Sequence, residues 1–176
     1  MDVLEHLTHE HRTAESLVEQ LRDTEPGTRR AELFGELVDS LHRHMAVEER
    51  FLYPIVERVL GAEDGEEADV EHELLRDALG SAQELVDGPG FGAALEMVHA
   101  AMAHHVEEEE GEMFPALRSS DAAGEIAALD PDELEARVES ESGDVTRDEL
   151  YEQARAADVS GRSSMTKDEL KAALDG

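Results

Sequence analysis

Residues 44–54 read HMAVEERFLYP, and residues 105–115 read HVEEEEGEMFP. Both stretches carry a His, two adjacent Glu beginning four places on, then an aromatic followed by Pro, all at one offset of 61 residues. Working outward, the same offset carries Glu10-His11 onto Glu71-His72, Leu37 onto Val98 and Leu41 onto Met102. The chain therefore contains an internal repeat that superimposes without gaps. Each half has a helix with one His, then a helix with His-x3-Glu that stops or kinks at its proline.

Apolar residues recur in steps of three and four through both halves. Leu4, Leu7, Ala14, Val18 and Leu21 form one stripe, and Phe34, Leu37, Leu41, Leu52 and Ile55 a second. Ala68, Leu75, Leu79, Ala82 and Val86 form the third, and Leu95, Val98, Met102, Met113 and Leu117 the fourth. Such stripes define helices with one buried face. Breaks fall at Glu25-Pro26-Gly27, Gly61 to Gly65 and Gly88-Pro89-Gly90. Long helices joined by short connections predict an all-α protein built on an antiparallel four-helix bundle.

Composition agrees. Hydrophobic residues are 40% of the 176, but aromatics only 3%, as suits helices rather than strands. Forty-five Asp and Glu against 15 Lys and Arg give a formal charge of −30, which repels nucleic-acid phosphates and anionic lipid. The absence of cysteine excludes disulfides, zinc ribbons, thiolate-held clusters and a cysteine nucleophile. No apolar run reaches membrane-spanning length, and the charged start is unlike a signal peptide, so a soluble cytoplasmic protein is expected.

The polar interruptions of the apolar stripes carry the chemistry. His11, His44, Glu48, His72, His105 and Glu109 all lie in phase with the apolar seams. Four imidazoles and two carboxylates are thus aimed at the bundle interior, where uncompensated burial is very costly. Bound cations remove that cost. His and Glu four apart share one helix face and can reach one metal site. Nitrogen and oxygen donors without thiolate suit iron, manganese or zinc, and donors on facing helices suit a dinuclear site. If both Glu bridge and each ion takes two His, a place remains for a bridging oxygen and for a small molecule.

A lone His on an apolar stripe is ordinarily a hydrogen-bonded core residue, and a lone His-x3-Glu a surface pair. Here the pattern occurs twice, at one offset and in one phase. His6, His9, His42 and His99 lack that support and are expected at the surface or its boundary. His104–Glu108 has the same spacing as His105–Glu109, but only the latter lies 61 residues from His44–Glu48. The other three Glu of the run 107–110 are expected to be solvated or to sit behind the ligands.

The segments HEHRTAESLVEQL, HMAVEERFLYP, EHELLRDAL and HHVEEEEGEMFP resemble the four helices of hemerythrin-like HHE cation-binding domains, over residues 1 to about 118. The resemblance implies a carboxylate-bridged non-haem di-iron centre. His11, His44, His72 and His105 would be terminal ligands, with Glu48 and Glu109 bridging. Oxygen carriers of this family have a further His one turn after the third, where this chain has Arg76. That departure implies an open coordination position with positive charge nearby. It points to redox chemistry with dioxygen, peroxide or nitric oxide, or to iron handling, more than to reversible oxygen binding. The alternative is a metal store or sensor without turnover, or an adaptor acting through its C-terminal module.

Residues 119–143 form an acidic linker with one short helix expected from Asp130-Pro131. Residues 144–176 contain TRDELYEQA from Thr146 and TKDELKAAL from Thr166, each opening with Thr and with Glu three places on. Two short helices and the loop 158–165 resemble the N-terminal helix–extended loop–helix module of termination factor Rho and its SAP-like relatives. Eight acidic and five basic residues there give a net −3, so a solubilising or protein-contact module is favoured over nucleic acid.

Overall fold

A computed structural model describes residues 1–141, 147–157, 159, 162, 165 and 167–174. Four long helices dominate: α1 (Val3–Arg22), α2 (Thr28–Val47), α4 (Ala62–Glu84) and α5 (Phe91–Glu108). Beyond α2 the chain passes through a π turn, Glu48–Leu52, into α3 (Tyr53–Val59). Beyond α5 it passes through a second π turn, Glu109–Met113, into α6 (Phe114–Arg118). No strand occurs among the described residues. Contacts join α1 to α2, α2 to α4, α4 to α5 and α5 back to α1, which closes the ring of a four-helix bundle.

Local chemistry sets the boundaries. Asp2 caps α1 reciprocally: its side chain accepts from Glu5 N at 2.8 Å, while Asp2 N donates to the Glu5 carboxylate at 3.0 Å. Gly27 and Gly61 precede α2 and α4 at φ +135° and +140°, where an L side chain is strained. The prolines do not end their helices. Pro54 and Pro115 each start a new α segment just past a π turn. Tyr53 N donates to Glu48 O, and Phe114 N to Glu109 O. Each turn thus holds one extra residue, and the wider turn accommodates a ring that would obstruct a tight helix.

The stripes pack as their spacing demands. Leu17, Leu21, Phe34, Leu37, Leu79, Phe91, Leu95 and Val98 belong to one buried cluster, with Val86 at its margin. Phe34 and Phe91 meet edge to face at 5.6 Å. Burying each such leucine stabilises the fold by about 2 kcal/mol.

By compactness the chain divides into two units, Met1–Glu135 and Ala136–Gly176. The first includes the short helix α7 (Ala123–Ile126) and the start of α8 (Pro131–Glu141). Two helical segments therefore stand where composition announced one. The second unit contains α9 (Arg147–Ala156) and α10 (Lys167–Leu174), with Leu150, Tyr151, Ala154 and Leu170 as its core. The expected capping residues Thr146 and Thr166 lie outside the described residues, as does most of the loop 158–165.

Candidate metal centre

His11 of α1, His44 of α2, His72 of α4 and His105 of α5 occupy one level of the bundle. None is more than 2% exposed, and Glu48 and Glu109, the first residues of the two π turns, are equally buried. The rings form two close pairs, His11 with His44 at 4.6 Å and His72 with His105 at 4.8 Å between centroids. Each pair belongs to one half of the repeat. Glu48 lies between the pairs: Oε1 is 3.2 Å from His44 Nε2, and Oε2 is 3.2 Å from His72 Nε2. Glu109 Oε2 is 3.4 Å from His11 Nε2 and 3.5 Å from His105 Nε2. Donor atoms of His11, His44, Glu48, His105 and Glu109 all lie within 4.8 Å of one another, and His72 adjoins this group through Glu48.

A carboxylate stands behind every imidazole. His11 Nδ1 donates to Glu110 at 2.8 Å, and His72 Nδ1 to Glu49 at 2.9 Å. His44 Nδ1 donates to Glu10 at 3.1 Å, and His105 Nδ1 to Glu71 at 3.3 Å. These four partners obey the offset too: Glu10 maps onto Glu71, and Glu49 onto Glu110. The first two bonds cross between the halves of the repeat, and the last two join helices within one half. A proton held on Nδ1 leaves the Nε2 lone pair facing inward, the arrangement that prepares histidine as a metal ligand.

The interior therefore has donors without acceptable partners of their own. His11 Nε2 and His44 Nε2 are 3.0 Å apart. Both oxygens of Glu48, Oε2 of Glu109 and Nε2 of His105 are buried without a hydrogen bond. Lone pairs so close repel unless a cation lies among them. The donor set fits a dinuclear site of nitrogen and oxygen ligands.

The electrostatics show the same conflict. Burial, reinforced by the nearby Glu109 charge, pushes the Glu48 carboxyl well above the ordinary range. Burial also opposes ionisation of Glu109, but His105, His11 and His44 outweigh it and bring that carboxyl to about 2. Burial and the neighbouring His11 press His44 well below the usual imidazole value. His105 moves upward, because Glu109 and Glu71 overcome the effect of burial.

One element breaks the symmetry at the centre. The repeat pairs Tyr53 with Phe114. The Tyr53 hydroxyl is 2.9 Å from His72 Nε2 and 3.5 Å from Glu109 Oε1. Phe114, with no hydroxyl, lies parallel to the His11 ring at 6.3 Å. Burial and the Glu48 charge raise the phenol well above its usual value, so it keeps its proton and acts as a donor.

Arg76 does not turn out to solvent. It is 3% exposed, and its guanidinium binds the Glu49 carboxylate that also accepts from His72. Its charge is thus engaged in orienting that carboxylate. Although burial resists ionisation, His72 and Arg76 together bring Glu49 to about 2. On the other side Arg12 binds Glu110 in the same manner.

The remaining histidines lie apart from this group. His9 is exposed, while His42 and His99 are half-buried. His104, with a side chain 62% exposed, lies near Glu71 and Glu108 on the outer surface. His6 is bonded to Glu135 at 2.6 Å. Helical spacing sets Glu10 beside His6, yet its shorter contact is to His44. Glu10, Glu49 and Glu71 escape assignment from sequence, while Glu110 takes the second of the two places expected for it, behind a central histidine. Their repeated positions, each next to a central His or Glu, are the available signal.

A four-helix bundle with a buried cluster of histidines and carboxylates is a metal-binding architecture. The hemerythrin HHE cation-binding domain model matches residues 2–117, and the chain belongs to that family. No curated protein and no solved structure matches the chain.

Proposed function

We propose that the chain is a non-haem di-iron protein that reacts with dioxygen, peroxide or nitric oxide. His11, His44, His72 and His105, with Glu48 and Glu109 as shared carboxylates, would hold the two ions. The observation that carries this is the set of four Nδ1–carboxylate bonds, which turn four Nε2 lone pairs toward two buried carboxylates. Manganese or zinc would fit the same donors. Iron bound there would supply one- and two-electron chemistry toward those small molecules.

The chain's own residues divide the remaining work. Glu110, Glu10, Glu49 and Glu71 fix the imidazole orientation and raise its basicity. The buried level excludes bulk water. Tyr53, still protonated, offers a hydrogen bond or a proton on the His72 side alone. Since Arg76 is engaged with Glu49, it adds no fifth histidine-like donor. Helices α9 and α10 belong to a second helical unit, for which the acidic balance favours a solubilising role or a protein contact over nucleic acid.

Mixing anaerobic, iron(II)-loaded protein with dioxygen or peroxide in a stopped-flow spectrometer tests this. The expected result is prompt oxidation without a lasting oxygenated spectrum, and consumption of added peroxide. An oxygenated spectrum that reverses on degassing would show an oxygen carrier. Complete inertness would favour a store or sensor.

A further inference from the structure

The repeat that builds the centre fails on one face of the bundle. A cavity of about 520 Å³ lies between the α3–α4 corner and the α5–α6 arm. Asp64, Glu67, Glu71, Glu108 and Glu112 line it, and so does the buried ligand residue Glu109. Subtracting 61 gives their counterparts: Val3, His6, Glu10, Val47 and Phe51, with Glu48 in place of Glu109. Five carboxylates thus stand opposite a single one. On the counterpart face Val3 and Val47 are buried, and His6 is tied to Glu135. The cavity beside His6, about 400 Å³, touches none of the six central residues.

Two buried carboxylates border the acidic cavity, each with one oxygen that makes no hydrogen bond. Glu109 is 1% exposed, and its Oε2 makes no hydrogen bond. Glu71 is 8% exposed, and its Oε1 makes no hydrogen bond, although His104 Nε2 lies 3.1 Å away as an ion pair. Donor atoms of Glu71, His104 and Glu108 fall within 4.8 Å of one another. The other oxygen of Glu71 accepts from His105 Nδ1, so this outer group adjoins the centre directly.

Resting on the di-metal reading, we propose that this cavity is the uptake route for divalent cations, with Glu71, His104 and Glu108 as a transit site. A concave wall of one charge sign focuses the field and raises the local concentration of counter-ions. One imidazole and two carboxylates, half open to water, suit brief capture of a hydrated cation. The inner site, with six buried donors, suits retention. Breaking the repeat gives the cation one acidic face to approach and leaves the counterpart positions mostly apolar.

The test is metal uptake by full-length apoprotein, measured in stopped flow with cobalt(II) and, anaerobically, iron(II). The variant D64N/E67Q/E112Q removes three exposed charges and touches no central residue. A control, E19Q/E32Q/E36Q, removes the same charge from α1 and α2. The groove variant should load about tenfold or more slowly than the control at low salt. Both should reach the native metal count, and added salt should slow the native chain more than the groove variant. Equal loading by the two variants would overturn the route while leaving the centre intact. A native chain that takes up no metal would overturn the centre and the route with it.

Discussion

At the scale of single residues, the inner and outer groups should respond differently to substitution. Glu109→Ala removes a bridging donor and should cost most of the bound metal, whereas His104→Ala should leave the metal count unchanged. Metal analysis of the two purified variants checks this, and the reverse pattern would place the second His–Glu pair one residue earlier. Glu110→Gln or Glu49→Gln should keep the count but weaken affinity about 10- to 100-fold, read by chelator competition. Protons compete for the same atoms. His105 lies above its ordinary value, so it protonates at higher pH than His44 or His72, and acidification below that point should reduce metal affinity. His44 is depressed, so it stays neutral through the usual imidazole range and joins the competition only at lower pH. For the depressed His44 and His72 the sign in the metal-free fold is fixed: stability is present above about pH 6.5 and is lost on acidification. Because Glu48 is raised well above the ordinary carboxylate range, loading in mildly acid, weakly buffered solution should release protons, measurable with an indicator. The six inner residues were legible in the sequence because each interrupts an apolar stripe at a buried phase. The partners of the outer carboxylates were not, since Glu110 reaches His11 across 99 residues and Glu49 reaches His72 in the opposite half of the repeat. Only tertiary placement reveals such a crossing.

At the scale of elements, the π turns matter most. Each starts on a central carboxylate and ends one residue before the aromatic that meets a histidine ring. Deleting Gly111 should convert the second turn to regular helix, keeping α5 and α6 in phase but removing the wider turn on which Glu109 sits. Circular dichroism should then show nearly unchanged helicity while the metal count falls. Retention of full metal by that deletion would show that the π turn is incidental. Away from the site, Gly35 lies inside α2, and an added Cβ meets nothing within 4 Å. Gly35→Ala should therefore stabilise the bundle by about 0.5–1 kcal/mol, read as a higher Tm. The four long helices were legible from the three-and-four spacing. The π turns were hidden, because a pattern that already alternates between three and four absorbs one extra residue without a visible break. The prolines marked their position but suggested a stop or kink.

For the molecule as a whole, a charge of −30 on 176 residues sets a background of self-repulsion. Sodium chloride should raise the Tm of the metal-free chain. Among the described residues, no helix is long and apolar enough to cross a membrane. The pairing of halves about a buried centre explains why one repeat serves for both structure and ligation. The apolar positions hold the helices at a fixed distance, and the polar positions then meet at one level. The departures from the repeat, Tyr53 against Phe114 and the acidic cavity against its mostly apolar counterpart, distinguish the two sides of that centre. The central claim is that six buried side chains hold two metal ions. Titration of the full-length apoprotein with iron(II), with metal counted after removal of excess, tests it most directly. The expected result is about two ions per chain in the native protein, and loss of most of that iron in the double variant Glu48→Ala/Glu109→Ala. A native chain without stoichiometric metal, or a double variant that retains both ions, would contradict it.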